Sequence, residues 1–399
     1  MGLYRKLNIH NLTSPVIALS PMDGVTDFAY REIAKKYGHV DLLYTEFVNV
    51  HGLSLGVESL INELMYSEFQ RPILSQIYGH EIEYFYPAAL VCLFLGFDGI
   101  DINMGCPAKK VSDRGAGAGL ICNPESAKKI ILEVKKARED FTSEFKVKEI
   151  LSIDNLSAEY ITEVIVRLIE NHNPELLPSI KPIRLGRNIF EKLKNWNLNI
   201  KYIFSNERLN NLTVSVKTRI GYDSDIVDKW IPSISESSPD FIAIHGRTLK
   251  QMYTGSASWE SISKAISTLK ELGKDILVFA NGDIKTKDDA KKCLQITKAD
   301  GILIGRGSYG NPWIFEDIRN SIIESKSDTP LDIRTMEDIR KLLLDHSEVF
   351  VKAKGEERFF EMRKNLAWAI SGIPNASEVR SKLVRCNTLS ELKTILTTI

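Results

Sequence analysis

The sequence has few cysteines, no excess of charge of either sign and no long apolar run, and each shortage excludes a class of protein. Its five cysteines in 399 residues, Cys92, Cys106, Cys122, Cys293 and Cys386, are odd in number and unpaired by spacing. A disulfide framework is therefore excluded, and a reduced, cytoplasmic compartment is expected. There is no CxxC or HxxxH pair, so no metal site is expected. Lys and Arg number 52 against 52 Asp and Glu; that balance excludes a polyanion binder acting through its whole surface but leaves room for a local basic face. The longest apolar stretch, around Pro87 to Phe97, is about half the ~20 residues of a membrane-spanning helix, so no span is expected. The opening MGLYRKLNIH lacks the apolar segment and cleavage site of a secretory signal.

What the sequence does contain is alternation. Short runs rich in Val, Ile, Leu and aromatics recur at Val16 to Met22, Leu42 to Val48, Pro72 to Tyr78, Gly99 to Asn103, Thr213 to Arg219, Phe241 to Gly246, Ile276 to Asn281 and Gly301 to Arg306. Helical patterns fall between them at Asp27 to Tyr37, Glu81 to Leu95, Pro124 to Ala137, Ser258 to Leu272 and Thr286 to Gln295, with Ser258 and Thr286 placed to cap. Strand and helix in alternation imply a parallel α/β sheet, and eight units predict a (β/α)8 TIM barrel, with an open doubly wound sheet as the alternative.

The strand ends favour the barrel, because that fold carries its chemistry where the strands finish. Those ends read Pro21-Met22-Asp23, Glu46, Gln76, Asn103 with Cys106, Lys217 with Arg219, His245 with Arg247, Asn281-Gly282-Asp283 and Gly305-Arg306-Gly307. Nearly every strand thus aims a polar or special residue at one mouth.

Two segments exceed a plain barrel. An insertion at 140–212, about 70 residues where an αβ connection usually takes 2 to 6, separates the fourth barrel helix from the fifth strand. Ile161, Val164, Ile165, Leu168 and Ile169 recur there at helical spacing, so part of it is expected to be an amphipathic helix. Because αβ loops emerge opposite the mouth, an accessory or partner-binding element on that far face is expected, not a lid. After a barrel spanning 1–323 and a polar linker at Ser325 to Pro330, the remainder, 331–399, reads as all helical. Its predicted helices are Met336 to Val351, Glu356 to Ala369 and two shorter ones after the Gly372-Ile373-Pro374 break.

Cys106, just past a strand and followed by Pro107, Lys109, Lys110 and Arg114, sits in an electropositive loop where a thiol can serve as nucleophile or acid. The run Gly115 to Gly119 follows a loop rather than a strand, which argues against a dinucleotide fingerprint; it reads either as a flexible loop closing over a ligand or as a structural turn. The glycines ending strands seven and eight, with Arg306 beside them, suit a phosphorylated cofactor whose rings Lys217 and His245 reach.

Together SPMDGVTD at Ser20 to Asp27, NMGCPAKKV at Asn103 to Val111, KTRIG at Lys217 to Gly221, HGRT at His245 to Thr248, Asn281-Gly282-Asp283 and Gly305-Arg306-Gly307 resemble the tRNA-dihydrouridine synthase family, in its order and nearest its B-type bacterial branch. The resemblance implies FMN-dependent reduction of the C5–C6 double bond of a uridine in tRNA, with NADPH as reductant. It implies FMN contacts from Pro21, Met22, Asp23, Gln76, Lys217, His245, Asn281, Gly282, Asp283, Gly305 and Arg306. Asn103, Arg219, Lys109 and Lys110 are implied on the substrate side, Cys106 as proton donor, and the helical tail as the tRNA grip. Asn365 and Ser258 stand where the family often has His and an acid. The alternative is a flavin barrel acting on a free pyrimidine or other small molecule; a third reading is an inactive RNA-binding scaffold.

Overall fold

The computed structural model describes residues 15–146, 156–252, 254–323, 334–370 and 376–397. The opening decapeptide, the Ser325 to Pro330 linker and the Gly372-Ile373-Pro374 break lie outside them.

Eight parallel strands run β1 (Val16–Leu19), β2 (Leu43–Asn49), β3 (Ile73–Tyr78), β4 (Gly99–Met104), β5 (Thr213–Arg219), β6 (Phe241–His245), β7 (Leu277–Asn281) and β8 (Gly301–Ile304). Their order is β1-β8-β7-β6-β5-β4-β3-β2. A parallel bridge between Ala18 and Leu42, with Leu19 N–H donating to the Leu42 carbonyl at 3.1 Å, joins the two ends into a barrel. Side chains alternate along each strand. One set, including Val16, Ala18, Tyr44, Leu74, Phe241, Phe279 and Leu303, fills the interior; the other packs outward under the helices.

A repeated device fixes the N-terminal rim. Asp41, Asp98, Asp240 and Asp300, each just before an even-numbered strand, accept the N–H of Ile17, Ile73, Val214 and Val278 on the preceding odd-numbered strand at 2.8 to 2.9 Å. Each carboxylate thereby satisfies a strand-start donor that the sheet leaves unpaired.

The barrel helices that matter below are α1 (Phe28–Gly38), α2 (Val50–Ser54), α3 (Glu58–Glu63), α4 (Phe85–Phe94) and α5 (Pro124–Lys146). Asp27 caps α1 by accepting the Tyr30 N–H. α5 runs past the expected Ala137 because Phe141 and Phe145 continue its buried stripe.

The insertion contributes α6 (Ala158–His172) and α7 (Pro182–Asn195). The expected apolar set of α6 is its buried face. Side-chain contacts tie it to α5, with Arg167 on Glu144 at 2.6 Å and His172 on Glu133 at 2.7 Å. α7 crosses α6 at Gly186, where a Cβ would lie 2.0 Å from Thr162 Oγ1. The far-face expectation needs correcting, because α7 rests on the α2–α3 corner that follows the C-terminal end of β2. Asn188 donates to the Gly56 carbonyl at 2.9 Å, and Lys192 pairs with Glu58 at 3.0 Å. The chain regains the N-terminal rim through two single turns, where Arg208, fully buried, caps the end of α4 by donating to the Leu93 and Phe97 carbonyls.

Further barrel helices are α8 (Val227–Ser235), α9 (Trp259–Glu271), α10 (Lys287–Thr297) and α11 (Ile314–Ile323). Ser258 and Thr286 cap α9 and α10 as expected, the latter through a capping box. The tail forms α12 (Met336–Lys354), α13 (Arg363–Ala369), α14 (Ala376–Leu383) and α15 (Leu389–Leu396). The helix expected from Glu356 is a 3-10 stretch up to Met362, after Gly355 at φ 86° ends α12. Tail and barrel share a core in which Ala29, Ile33 and Trp313 meet Leu342, Phe350 and Leu366. Asp345 ties the tail to α1, bonding Lys36 at 2.7 Å and Tyr37 Oη at 2.5 Å. Among the described residues no helix is long and apolar enough to cross a membrane.

Candidate active site

A cavity of roughly 450 Å³ opens at the C-terminal mouth, lined from β1, β4, β5, β6, β7 and β8 by Pro21, Met22, Asp23, Asn103, Cys106, Lys217, Arg219, His245, Asn281, Gly282, Asp283, Gly305 and Arg306. Its size lies within the range of small-molecule sites, about 300 to 1,000 Å³.

The β1 end is held by Thr26, whose hydroxyl accepts the Met22 N–H at 2.9 Å and donates back to the Met22 carbonyl at 3.2 Å. Pro21 and Met22 are thereby presented to the cavity as a fixed wall.

Beneath the opposite wall runs a buried polar chain. Asp101 accepts from Ser215 Oγ and from Gln76 Nε2, both at 2.6 Å. Gln76 Oε1 accepts from Asn103 Nδ2 at 2.9 Å, and Asn103 Oδ1 accepts the N–H groups of Gly105 and Cys106 at 3.1 and 2.8 Å. Gln76 is fully buried and does not line the cavity. Asn103 does line it, but one amide hydrogen and its oxygen are committed to this chain.

The cationic wall comes from β5 and β6. Burial, with Arg219 beside it, holds Lys217 down at about 8, and its ammonium has no hydrogen-bond partner among the described residues. Arg219 is fixed by donating to the carbonyls of Gly105 at 2.7 Å and Thr248 at 3.1 Å. Burial, followed by Arg219 and Lys217, pushes His245 well below the ordinary histidine range, so its ring is neutral.

The strand-seven and strand-eight ends form a backbone cradle. Gly282 sits at φ 120°, and a Cβ there would meet the His245 ring at 2.8 Å. Among the described residues the N–H groups of Gly282, Asp283 and Gly307 donate to no backbone acceptor. Asp283 turns away from these amides: its carboxylate accepts the Ala257 N–H at 2.8 Å and Arg247 at 2.6 Å, and it lies 3.5 Å from Arg306. It therefore braces the cradle.

Cys106 is partly exposed, and burial followed by nearby Asp23 raises its thiol against the opposing pull of the Ala108 N–H, Arg219 and Lys217. The group stays a thiol at neutral pH. The glycine run resolves as the structural turn: Gly117 to Ile121 are buried, and a Cβ on Gly117 would meet Cys106 Cβ at 3.1 Å. It supports the cysteine loop from below. Lys109 and Lys110 are exposed on a single turn beyond it, outside the cavity lining.

Some neighbours escaped the sequence reading. Tyr309 lines the cavity and stacks on Trp368 of the tail with ring centroids 3.9 Å apart. Trp259 Nε1 donates to the Gly282 carbonyl at 3.0 Å. No motif signals either contact; both arise only when distant segments meet. Glu46, expected at the mouth, faces an adjoining cleft of roughly 990 Å³ between barrel and tail, with Asp23, Asn62, Glu63, Lys354, Arg358 and Lys364. Burial, then Asp27, pushes Glu46 up to about 7. Asn365 lies inward beside His346 rather than on an outer face.

A closed barrel with its reactive groups gathered where the strands finish is a barrel enzyme in construction. The chain belongs to the dihydrouridine synthase family, whose sequence pattern matches residues 18–171 and 193–399. A Staphylococcus epidermidis protein named a probable tRNA-dihydrouridine synthase is 28% identical over 393 residues, covering 97% of this chain and 94% of that one. A Bacillus subtilis protein named probable tRNA-dihydrouridine synthase 2 is 27% identical over 393 residues, covering 96% and 94%. Such coverage includes the barrel and the helical tail alike.

Proposed function

We propose that this chain uses FMN and NADPH to reduce the C5–C6 double bond of a uridine in tRNA, in the cytoplasm, with Cys106 as proton donor. The observation that carries the reading is one cavity lined together by Cys106, by Lys217, whose ammonium has no hydrogen-bond partner among the described residues, and by Gly282 and Gly307, whose amides have no backbone acceptor among them.

The residues fit the cofactor. Open amides with Arg306 suit its phosphate; Lys217, the neutral His245 and Asn281 suit the polar edge of its ring system, and Pro21 and Met22 a flat face. Bound there, FMN would supply hydride chemistry toward C6 of the uracil. Charge then gathers at C5 and the neighbouring carbonyl oxygen, where the guanidinium of Arg219 and the remaining amide hydrogen of Asn103 stabilise it. The Cys106 thiol gives its proton to C5, completing the saturated bond, and the thiolate regains a proton from solvent. A thiol raised above its ordinary range suits that acid role.

The target base must leave the tRNA stack to enter this mouth. The tail at 331–399 would grip the backbone, with Lys354, Arg358, Arg363 and Lys364 beside the cleft that adjoins the cavity. The purified protein, incubated with FMN, NADPH and unmodified tRNA transcripts, should convert uridine to dihydrouridine, read by nucleoside mass spectrometry. Reduction of free pyrimidines with tRNA untouched would replace this reading with the small-molecule one, and a protein unable to take up FMN would end both.

A further inference from the structure

The family pattern breaks at residues 172–192, between its two matched blocks. That gap holds most of α7 and the basic residues Lys181, Arg184 and Arg187. All three are exposed, and they surround Ile183, 71% exposed, on a shallow concavity completed by Pro182 and Asn188. None of Lys181, Arg184 and Arg187 has an ion-pair partner within 4 Å among the described residues, and Arg187 acts on Glu159 through space alone.

Folding does not account for this placement. Cations at the start of a helix oppose its dipole, and α7 has neither an acidic residue in its first turn nor a side-chain cap. The helix is held instead by Leu185, Ile189 and Leu193 on its buried side and by the Gly56 corner. The basic face is thus maintained at an electrostatic disadvantage while its back is anchored.

Its position relative to the cleft supplies the second observation. α3 stands between them: Glu58 pairs with Lys192 of α7, while the next residue, Ser59, and then Asn62 and Glu63 line the cleft between barrel and tail. Arg184 lies against the α2–α3 corner, its Cγ 3.3 Å from where a Cβ on Gly56 would stand, so a backbone that crosses the cleft and passes over α3 comes within reach of it, with Arg187 one turn further along α7.

We infer that the basic face of α7, Lys181, Arg184 and Arg187, is an additional docking surface for the phosphate backbone of the RNA substrate, extending the footprint past α3. This rests on the tRNA reading above. Such contacts position the substrate without reading its bases. A protein partner fits less well, because the face is cationic around a single apolar residue and is separated from the substrate cleft by α3 alone.

The test uses the full-length flavin-loaded protein and an unmodified tRNA transcript, with affinity measured from low to physiological salt. Replacing Lys181, Arg184 and Arg187 together by Ala should weaken binding about tenfold and flatten the log K against log salt slope by roughly 2, as loss of two or three phosphate contacts requires. NADPH oxidation by the flavin without tRNA should be unchanged, which certifies folding. Arg184→Glu alone should weaken binding further than Arg184→Ala. An unchanged slope and affinity, against a wild type that binds tRNA, overturns the inference, including where the triple variant instead loses a copurifying protein. A wild type that binds no tRNA at any salt brings down the functional reading itself.

Discussion

Gln76 donates its side-chain amide to Asp101 at 2.6 Å and accepts from Asn103 at 2.9 Å, so it acts on the cavity through its neighbours. Gln76→Met should leave the Asp101 carboxylate short of a donor and Asn103 free to turn. Removing one partner of a buried polar group costs about 1 to 3 kcal/mol, so urea unfolding should show a loss of that size. Uridine reduction should slow while FMN content stays near wild type. Loss of FMN without loss of stability would show instead that Gln76 touches the cofactor.

Cys106 makes a second prediction through pH. Its thiol is raised by burial, so the acid form persists through neutrality and uridine reduction should fall only on the alkaline side. Cys106→Ala should retain FMN and its reduction by NADPH while slowing uridine reduction by roughly 10²- to 10⁴-fold, the usual worth of a positioned acid. The part of the alkaline limb that belongs to the thiol should vanish, leaving the fall set by Lys217, held down at about 8. An identical pH profile in the alanine variant would remove Cys106 from the proton transfer.

The tail is joined to the mouth by close packing after β8. Gly310 stands at φ 67°, and a Cβ there would lie 2.3 Å from the Trp368 backbone, a collision with main chain that no rotamer relieves. Gly310→Ala should therefore displace α13 and the Tyr309–Trp368 stack. The tRNA KM should rise at least severalfold, with FMN retained. Limited proteolysis should release the tail more readily; resistance equal to wild type with unchanged KM would show that the junction tolerates the added carbon.

These residues also mark what could be read from sequence. Strand positions and the mouth set were legible because a buried parallel strand is an unbroken apolar run and its last residues are polar. Ser258 and Thr286 announced their helices by cap chemistry. What escaped depends on contacts between distant segments: Gln76 reads as a strand-end ligand until Asp101 lies beside it, and Glu46 reads as a mouth residue until the tail closes over it. Loop polarity fixes where the insertion leaves the barrel, opposite the mouth, but not how far α7 travels. The aspartates before the even-numbered strands were visible in sequence, yet their meaning appears only when the odd-numbered strand beside each offers its N–H.

Lys217 separates stability from function. Its folded pKa is depressed from 10.5 to about 8, mainly by burial. Between those values the unfolded chain holds a proton that the folded chain has released, so stability rises with pH across that window. Below pH 8 both states carry the charge, and the folded state bears the full penalty of burying it, at most about 3.5 kcal/mol at ~1.4 kcal/mol per unit. Lys217→Met keeps the shape and removes the charge. The flavin-free variant should be more stable than flavin-free wild type by about 1 to 3 kcal/mol at pH 7 in urea unfolding, and the gap should shrink by pH 9.5. On the proposed function its affinity for FMN should fall at least tenfold, because the ammonium has no hydrogen-bond partner among the described residues and is left for the cofactor. A variant no more stable at pH 7, or one that binds FMN as tightly as wild type, would show that Lys217 is held by the barrel for its own packing.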